Sequence, residues 1–206
     1  LGENSHKRYK LINLDLSNKD LLVEAINQIK PDLVFHLAAE SHVDRSIAGP
    51  EDFVSSNIIG TFNLLETLRS YYEKLSHETK QIFRLHHIST DEVFGSADKN
   101  KFSENTPYNP SSPYSATKAS SDHLVKAWHT TYGLPVLISN CSNNYGPWQF
   151  PEKLIPLVIF KALKNESIPI YGDGKNVRDW LYVEDHVEAL LNVAFNGSLG
   201  SSYCIG

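Results

Sequence analysis

The sequence has no methionine among its 206 residues, and its two cysteines, Cys141 and Cys204, lie far apart without Cys-x-x-Cys spacing. Two isolated cysteines do not make a disulfide framework, and this usage fits a reducing cytoplasm. No apolar run approaches the roughly 20 residues that cross a bilayer as a helix, and no signal-peptide pattern opens the chain. We therefore expect a cytoplasmic protein that has no membrane partner.

The charged residues exclude a further class of partner. The formal net charge is −5 with the nine histidines neutral, and no segment is rich in Lys or Arg. Nucleic acid is therefore not an expected partner, because binding its backbone depends on clustered positive charge. Apolar residues make up 41% of the chain, as in a soluble globular protein with room for one sizeable core.

None of the eleven glycines forms the Gly-x-Gly-x-x-Gly fingerprint that binds the pyrophosphate of dinucleotides. Taken alone, this absence argues against a dinucleotide-binding enzyme. The chain, however, begins without an initiator methionine in a polar stretch that runs into an apparent strand, and it ends on "GSSYCIG", another apparent strand. We expect an internal piece of a longer protein whose first strand–helix turn carries the fingerprint.

The spacing of apolar residues predicts strands and helices in alternation. This order predicts an α/β fold in which helices cover both faces of a parallel sheet, and ligands bind at the carboxyl ends of such strands. In the first helix, capped by Asn18, one face carries Leu22, Ala25, Ile26 and Ile29. The predicted strands are 9–14, 31–39, 81–89, 135–140 and 167–175 with its glycine turn, and the predicted helices are 19–29, 51–75, 114–132, 152–165 and 183–195.

Tyr114 and Lys118 lie four residues apart in a predicted helix, so they share one face. An ammonium group beside a phenol favours the phenolate and is expected to lower the Tyr114 pKa from its usual value of about 10. This makes a base for a sugar or alcohol hydroxyl. Tyr171 and Lys175 have the same spacing, but Gly-Asp-Gly between them predicts a turn. Spacing alone also fits an exposed surface pair.

Asp91 and Glu92 follow a predicted buried strand, after the hydroxyls of Ser89 and Thr90, which can donate to a substrate oxygen. Two adjacent acids repel, and burial raises the pKa of a carboxyl group. One acid can then stay protonated while the other acts as a base, the combination that elimination of water requires. The competing interpretation is a helix cap or turn, although "DEVFG" does not begin a convincing amphipathic helix.

Three other segments are candidate parts of a site. Ala38 and Ala39 are small enough for a cofactor to lie against the backbone, although helix–sheet packing also requires small residues. The run "NCSNNYGP" sets polar side chains after a strand, and Arg178 is suited to phosphate or to a surface ion pair. His36 and His42 form no ligand pattern, so we expect no metal.

Five segments together resemble the dTDP-glucose 4,6-dehydratases, a family of extended short-chain dehydrogenase/reductases, over residues 15–206. The Tyr-x-x-x-Lys signature is shared by the whole superfamily, whereas the Thr-Asp-Glu triplet and the Asn-Asn-Tyr-Gly-Pro run are narrower. The segments are "HLAAESHVDRS", "HHISTDEVFG", "YSATKASSDHLV", "NCSNNYGPWQFPEKLIP" and "RDWLYVEDHVEAL".

The resemblance implies a Rossmann-like doubly wound parallel sheet, incomplete at its amino-terminal end, with part of a smaller substrate-binding domain. It divides the chain into a partial NAD-binding domain, 1–145, and a partial substrate-binding region, 146–206, whose elements from about 177 return to the first domain. A homodimer through helices that begin near Glu51 and Tyr114 is also implied. A piece without the missing ends is expected to bind NAD weakly and to be inactive.

The implied reaction converts dTDP-glucose in three stages. Tyr114, helped by Lys118, takes the proton of the C4 hydroxyl while hydride passes from C4 to NAD. The 4-keto group acidifies the C5 proton, which Glu92 removes while Asp91 protonates the departing C6 hydroxyl. Thr90 holds the C4 oxygen. Hydride then returns to C6 and leaves a 4-keto-6-deoxy sugar.

The resemblance also assigns binding positions on both sides of the reacting centre. The cofactor positions are Asp15, Leu16, Leu37, Ala38, Ala39, Glu40, Ser41, Ser56, Tyr114, Lys118 and Asn144. The nucleotide-sugar positions are Ser41, Thr90, Asn143, Lys153, Leu154, Pro169, Ile170, Tyr171 and Arg178.

Several alternatives stay open on the same scaffold. A 4-epimerase needs only the Tyr/Lys pair, a nucleotide-glucuronate decarboxylase needs no acid to expel the C6 hydroxyl, and GDP-mannose dehydratases typically lack the acid found at Asp91. A non-catalytic NAD-binding protein would be expected to have lost Tyr114 or Lys118, and a fragment without a function of its own is a further possibility. UDP and CDP sugars remain possible substrates.

Overall fold

The computed structural model describes residues 9–97, 101–170 and 173–206. Four parallel strands form the main sheet in the order β1-β2-β3-β6. Parallel neighbours need crossover connections, and the intervening helices supply them. The strands are β1 (Leu33–His36), β2 (Arg84–Thr90), β3 (Val136–Cys141) and β6 (Ser202–Ile205), and a separate parallel pair consists of β4 (Asn143–Tyr145) and β5 (Trp180–Tyr182).

Helices lie on both faces of the main sheet. The His87 side chain on β2 forms a hydrogen bond with Asp122 on one face of the sheet. Its neighbour His86 points to the other face, where the charge of His186 lowers the pKa of His86. Because successive strand residues alternate in direction, the helices that carry Asp122 and His186 lie on opposite faces. These two helices are α6 and α8. The α-helices of the described residues are α1 (Lys19–Ile29), α2 (Val43–Ala48), α3 (Glu51–Phe53), α4 (Thr61–Glu73), α5 (His77–Ile82), α6 (Pro113–Tyr132), α7 (Leu154–Leu163) and α8 (Val183–Asn196).

Helix α1 has the predicted bounds. The Asn18 side chain accepts a hydrogen bond from the Leu21 amide at 3.3 Å, as expected of an N-cap. Leu22 and Ile26 are buried on the predicted face together with Ala25. The prediction is wrong for Ile29, which is 53% exposed because the helix ends there and the chain leaves the core.

Helix α6 carries the Tyr-x-x-x-Lys pair and also has its predicted extent. Ser112 and Ser115 form a reciprocal capping box, and Pro113 occupies the first helical position. Gly133 ends the helix in the left-handed conformation at φ 68°, where a side chain is disfavoured. These local signals fix both ends of the helix without help from tertiary contacts.

Several predicted elements are wrong in extent or type. No strand covers 9–14 or 167–170, and Leu11 is 75% exposed, because neither segment has a strand beside it to complete a ladder in the described residues. Residues 171–172 lie outside the described residues. The predicted helix 51–75 contains a π-helical stretch, Val54–Gly60, between α3 and α4. Strand β2 begins at Arg84 because the preceding residues belong to α5.

The core lies between the sheet and one helix layer. Burial of each large apolar side chain contributes about 1.5–3 kcal/mol, so this cluster holds α1, α4 and α6 against β2 and β3. Its buried members are Leu22, Ile26, Leu64, Leu65, Leu68, Tyr71, Phe83, Leu85, Val125, Leu134, Val136 and Ile138. Among the helices of the described residues, none is both long and apolar enough to span a bilayer.

Candidate active site

The carboxylate pair begins a 3-10 turn, Asp91–Phe94, directly after β2. The Thr90 hydroxyl caps this turn by accepting a hydrogen bond from the Glu92 amide at 3.2 Å, and it donates to the Asp91 carboxylate at 3.3 Å. The sequence also allowed a helix cap or a turn at Asp91 and Glu92; the structure has the turn, but its cap is Thr90, and the two carboxylates lie at the strand end. Gly95 ends the turn at φ 84°, where a Cβ would meet the Asn109 carbonyl oxygen.

Burial raises the pKa of both carboxyl groups, as the sequence predicts. For Asp91 the nearby charge of Asp179 raises it further, while the Thr90 hydrogen bond and Arg178 lower it. The pKa of Glu92 is raised by burial and by Asp91, and lowered by Arg178 and Lys153. The charge of Asp179 raises the pKa of Asp91, and the charge of Lys153 lowers the pKa of Glu92, so the two adjacent carboxyl groups have different electrostatic surroundings.

Tyr114 and Lys118 are only 9% and 4% exposed, which rules out a surface ion pair. The Lys118 ammonium donates to the Ile88 carbonyl oxygen at 2.8 Å. Burial lowers the pKa of Lys118, and the charge of Asp122 raises it.

The predicted lowering of the Tyr114 pKa is wrong for this structure. Burial raises that pKa well above its usual range, and the charges of Glu92 and Cys141 raise it further, while the Thr90 side chain lowers it. The sequence places Lys118 on the correct face, but the hydrogen bond of its ammonium goes to the backbone of β2.

A groove of about 290 Å³ brings together four of the predicted cofactor positions, Asp15, Leu16, Ala38 and Ser56. The π-helical stretch packs closely on this segment, since a Cβ at Gly60 would lie 3.2 Å from the Leu16 Cβ. The carboxylate of Asp15 accepts a hydrogen bond from the Ser17 amide at 2.8 Å, and its pKa is lowered by that contact. The groove is therefore a preformed surface with an ionised acid at its rim.

The loop after β1, residues 37–41, is held by Asn57, which sequence reasoning missed. Its side chain accepts from the Glu40 amide at 2.9 Å and donates to the Glu40 carbonyl at 3.0 Å. The same amide nitrogen donates to the Thr117 hydroxyl at 2.9 Å, next to Lys118 on α6. Asn57 is 1% exposed and lies in the π-helical stretch, which no sequence signal indicated. One amide thus connects two predicted cofactor-binding segments.

The predicted nucleotide-sugar positions are only partly brought together. Lys153 donates to the Ser41 carbonyl at 3.4 Å, and the Asn143 amide donates to the Asp179 carbonyl at 3.2 Å, which sets Asn143 near Arg178. Leu154, Pro169 and Ile170 are exposed, so their nucleotide contacts stay predictions, and Tyr171 lies outside the described residues.

The side-chain oxygen of Asn144, a predicted cofactor position, accepts a hydrogen bond from His186 at 2.7 Å, and its amide nitrogen donates to the Cys141 sulfur. Sequence reasoning also missed Cys141 itself, whose thiol donates to the Ser89 carbonyl at 3.3 Å. Burial raises the pKa of this thiol to about 11, and the charge of Asp91 adds to the increase. A thiol with so high a pKa is neutral at physiological pH and is a poor nucleophile.

Asp122 is a third missed residue, fully buried behind the Tyr/Lys pair and bonded to His87 at 3.1 Å. A signal was present: Tyr114, Lys118 and Asp122 are spaced at intervals of four residues, which places them on one helical face.

The buried Tyr/Lys pair at the strand ends of a doubly wound parallel sheet defines a Rossmann-like enzyme domain of the short-chain dehydrogenase/reductase type. The family model described as GDP-mannose 4,6 dehydratase matches residues 1–205, and the chain belongs to that family.

Curated relatives that are more than half identical to this chain are named more specifically, as dTDP-glucose 4,6-dehydratases. The chain is 54% identical over 201 residues to a probable dTDP-glucose 4,6-dehydratase of Sinorhizobium fredii, and 55% identical over 201 residues to the dTDP-glucose 4,6-dehydratase of Neisseria meningitidis. Each alignment covers 97% of this chain and 57% of the relative, so the chain spans about half the length of these proteins. The resemblance to dTDP-glucose 4,6-dehydratases is confirmed.

Solved structures confirm the Rossmann-like fold. A dTDP-glucose 4,6-dehydratase of Streptomyces venezuelae with NAD bound is 42% identical, with a TM-score of 0.89 over 99% of this chain and 60% of that one. A UDP-glucose 4-epimerase of Thermotoga maritima is 27% identical, with a TM-score of 0.86 over 98% of this chain and 63% of that one. The fold is thus common to dehydratases and epimerases, and the site residues must separate them.

Proposed function

We propose that the protein is an NAD-dependent dTDP-glucose 4,6-dehydratase that forms dTDP-4-keto-6-deoxyglucose. The observation that carries this proposal is the half-buried pair Asp91 and Glu92, held at the end of β2 beside buried Tyr114 and Lys118. An epimerase needs no acid–base pair for elimination, whereas a dehydratase needs both members. The names of the curated relatives support the same reaction.

The residues present fit NAD. The groove lined by Asp15, Leu16, Ala38 and Ser56 has the small side chain and the acid that an adenosine moiety requires. Bound NAD would accept hydride from C4 of the sugar and return it to C6. The remaining cofactor positions are Leu37, Ala39, Glu40 and Ser41, in the loop that Asn57 holds, together with Tyr114, Lys118 and Asn144.

In the oxidation half, Tyr114 takes the proton of the C4 hydroxyl and the Thr90 hydroxyl holds the C4 oxygen. Burial makes the phenolate unfavourable in this structure, and a bound oxidised nicotinamide would favour it by its positive charge. The Lys118 ammonium, fixed on the Ile88 carbonyl, contributes positive charge from beneath the site.

In the elimination half, Glu92 takes the C5 proton and Asp91 protonates the departing C6 hydroxyl. The charges around the pair support this division of roles. Arg178 lowers the pKa of both groups, whereas Lys153 lowers that of Glu92 and so favours its ionised, basic form. Asp179 raises the pKa of Asp91 and so favours its protonated, acidic form.

The second part of the chain would hold the nucleotide. We propose a partial NAD-binding domain at 1–145 and a partial substrate-binding region at 146–206, to which the separate β4–β5 pair and α7 contribute. Cations suit a diphosphate, and the charges of Lys153 and Arg178 both act on Glu92. Asn143, Leu154, Pro169, Ile170 and Tyr171 complete the proposed nucleotide-sugar positions.

The proposed homodimer uses the helical segment that begins at Glu51 and the helix α6. Apolar side chains of these helices are exposed, among them Val54 at 44%, Ile59 at 46% and Phe62 at 38%. Tyr132 near the end of α6 is 50% exposed. The same helix pair of a second copy would bury these groups.

The two free cysteines support a cytoplasmic location.

Incubation of the full-length protein with dTDP-glucose and NAD tests the proposal. A 4-keto-6-deoxy product, monitored by its absorbance in alkali, is the expected result. UDP-glucose and CDP-glucose in parallel reactions measure the nucleobase preference. A C4 epimer formed without loss of water contradicts the proposal.

A further inference from the structure

Asp122 is a carboxylate without solvent contact in the middle of α6, four residues beyond Lys118. One of its oxygens accepts from His87 at 3.1 Å. The other accepts from the Tyr108 hydroxyl at 2.8 Å and from the Asn140 amide at 3.1 Å. An isolated buried carboxylate is very unfavourable, and here three donors from three different segments satisfy it.

The carboxylate is in its charged form. Burial opposes ionisation, but the hydrogen bond from His87 and the charge of Lys118 hold the Asp122 pKa below its ordinary value. In return, the charge of Asp122 raises the pKa of the buried Lys118 ammonium against the effect of burial. A charge pair inside the protein is screened little, so each member depends on the other for its ionisation.

The three donors lead to the site residues. Asn140 also donates to the Thr90 carbonyl at 3.2 Å, at the end of β2 where the carboxylate pair begins. The Tyr108 ring packs edge-on against Phe94, with ring centroids 5.3 Å apart. Phe94 closes the 3-10 turn that carries Asp91 and Glu92. Asp122 thus touches the supports of Thr90 and of that turn, but not the proposed substrate positions themselves.

We propose that Asp122 is a positioning residue that couples the oxidation half of the site to its elimination half. Its charge keeps Lys118 protonated for Tyr114, and its hydrogen bonds hold Thr90 and the Asp91–Phe94 turn in place. This role rests on the proposed function and adds to it a residue that touches neither sugar nor cofactor.

The first test is Asp122→Asn in the full-length enzyme. The amide keeps the size of the side chain and removes its charge. It also sets an NH2 donor against the amide donor of Asn140, and two donors cannot form a hydrogen bond with each other. We expect kcat to fall about tenfold and the basic limb of the kcat–pH profile to move down by about one unit, with the KM for dTDP-glucose unchanged. The control is Ser121→Ala, equally buried on α6, which loses a bond to the Lys118 carbonyl and should leave the profile in place.

The pH shift reports on Lys118 because the groups around it are known. His36 on β1, His87 on β2 and Cys141 on β3 face it together with Asp122. Burial lowers the pKa of both histidines and raises that of the thiol, so all three are neutral near pH 7. A folded Asp122→Asn enzyme with a wild-type profile overturns the charge part of the proposal.

The second test is Tyr108→Phe, which keeps the aromatic ring and removes one donor to Asp122. We expect amide hydrogen exchange to rise about fivefold in both 101–112 and 91–95, and kcat to fall about as much without a change in KM. If Asp122→Asn does not fold, Tyr108→Phe still tests whether the hydrogen bonds of Asp122 hold the Asp91–Phe94 turn in place. If wild-type enzyme does not dehydrate dTDP-glucose, the proposed function fails separately, and the exchange experiment still judges the coupling. Faster amide exchange in only one of the two segments, or in neither, overturns the proposed coupling.

Discussion

The Lys118 ammonium donates to the carbonyl oxygen of Ile88 at 2.8 Å, two residues before the Thr90 hydroxyl that caps the Asp91–Phe94 turn. Strand β2 therefore supports both the cation and the carboxylates. A displacement of β2 moves the two halves of the proposed site together, which preserves their mutual geometry. Substitution of single side chains can separate their contributions to this arrangement.

Asp91→Asn should preserve C4 oxidation and slow dehydration. The amide keeps the hydrogen bond with Thr90 but has no acidic proton for the leaving hydroxyl, so overall turnover should fall about 10²–10⁴-fold. Rapid-mixing absorbance at the NADH band, compared with product formation, distinguishes the two steps. Asp173→Asn, a change at an exposed acid, is the matched control. Loss of the NADH signal before loss of dehydration contradicts the assigned roles.

Tyr114→Phe should abolish oxidation while the protein stays folded. The ring retains its edge contact with Phe53, at 6.4 Å between centroids, and only the hydroxyl is lost. We expect no NADH signal and a fall in turnover of about 10²–10⁴-fold. Tyr9→Phe, at a tyrosine that is 55% exposed in the wild type, should have no effect. A Tyr114→Phe enzyme that still reduces NAD requires a different base.

Glu92→Gln should stabilise the protein at neutral pH while it inactivates it. The folded pKa of Glu92 is raised, chiefly by burial, so its ionisation costs stability as the pH rises from the unfolded pKa through the folded one. The neutral amide avoids that cost, and a gain of about 1 kcal/mol is typical of such active-site changes. Thermal unfolding at pH 7 and near pH 4 measures it.

The gain from Glu92→Gln should become much smaller at the lower pH, where the wild-type carboxyl is mostly protonated in both states. Glu24→Gln on the exposed side of α1 controls for the loss of one surface charge. A gain that is independent of pH would point to better packing of the amide and away from the electrostatic explanation.

Asn57→Ala should weaken NAD binding more than it weakens the fold. It leaves the Glu40 amide and carbonyl without their side-chain partner, a loss of about 1–3 kcal/mol in a buried setting. We expect the loop 37–41 to loosen and the Kd for NAD to rise about tenfold, since about 1.4 kcal/mol corresponds to that factor. Calorimetric titration with NAD measures it, and Asn27→Ala on α1, at an exposed position, should bind as the wild type does.

The sequence predicted those parts of the fold that local chemistry determines. Asn18 and Gly133 mark helix ends through contacts within a few residues, so the bounds of α1 and α6 were predictable. The absence of a strand at 9–14 was not, because a strand forms only beside a partner, and its apolar pattern cannot show whether a partner is present. The π-helical stretch escaped for a related reason, since packing and not local propensity sets it.

The site was predictable in its composition and less so in its electrostatics. The motif order identified Asp91, Glu92, Tyr114 and Lys118, and the burial of the carboxylates was expected from their place after a buried strand. The pKa of Tyr114 was not predictable, because burial and the charges of Glu92 and Cys141 raise it, and these follow from packing. The Lys118 ammonium, expected to act on the phenol, donates to a backbone carbonyl 30 residues away in the chain, which helical spacing cannot reveal.

The π-helical stretch fixes the number of residues in the helical segment 51–73. Each residue added to or removed from a helix rotates its carboxy-terminal part by about 100° relative to its amino-terminal part. Insertion of one residue between 61 and 64, in the α-helical part, would therefore turn Leu65 and Leu68 away from the core if Asn57 keeps its contacts with Glu40. Substitution is tolerable in this segment where a change of length is not, so its length should be invariant among functional variants selected from a library of insertions and deletions.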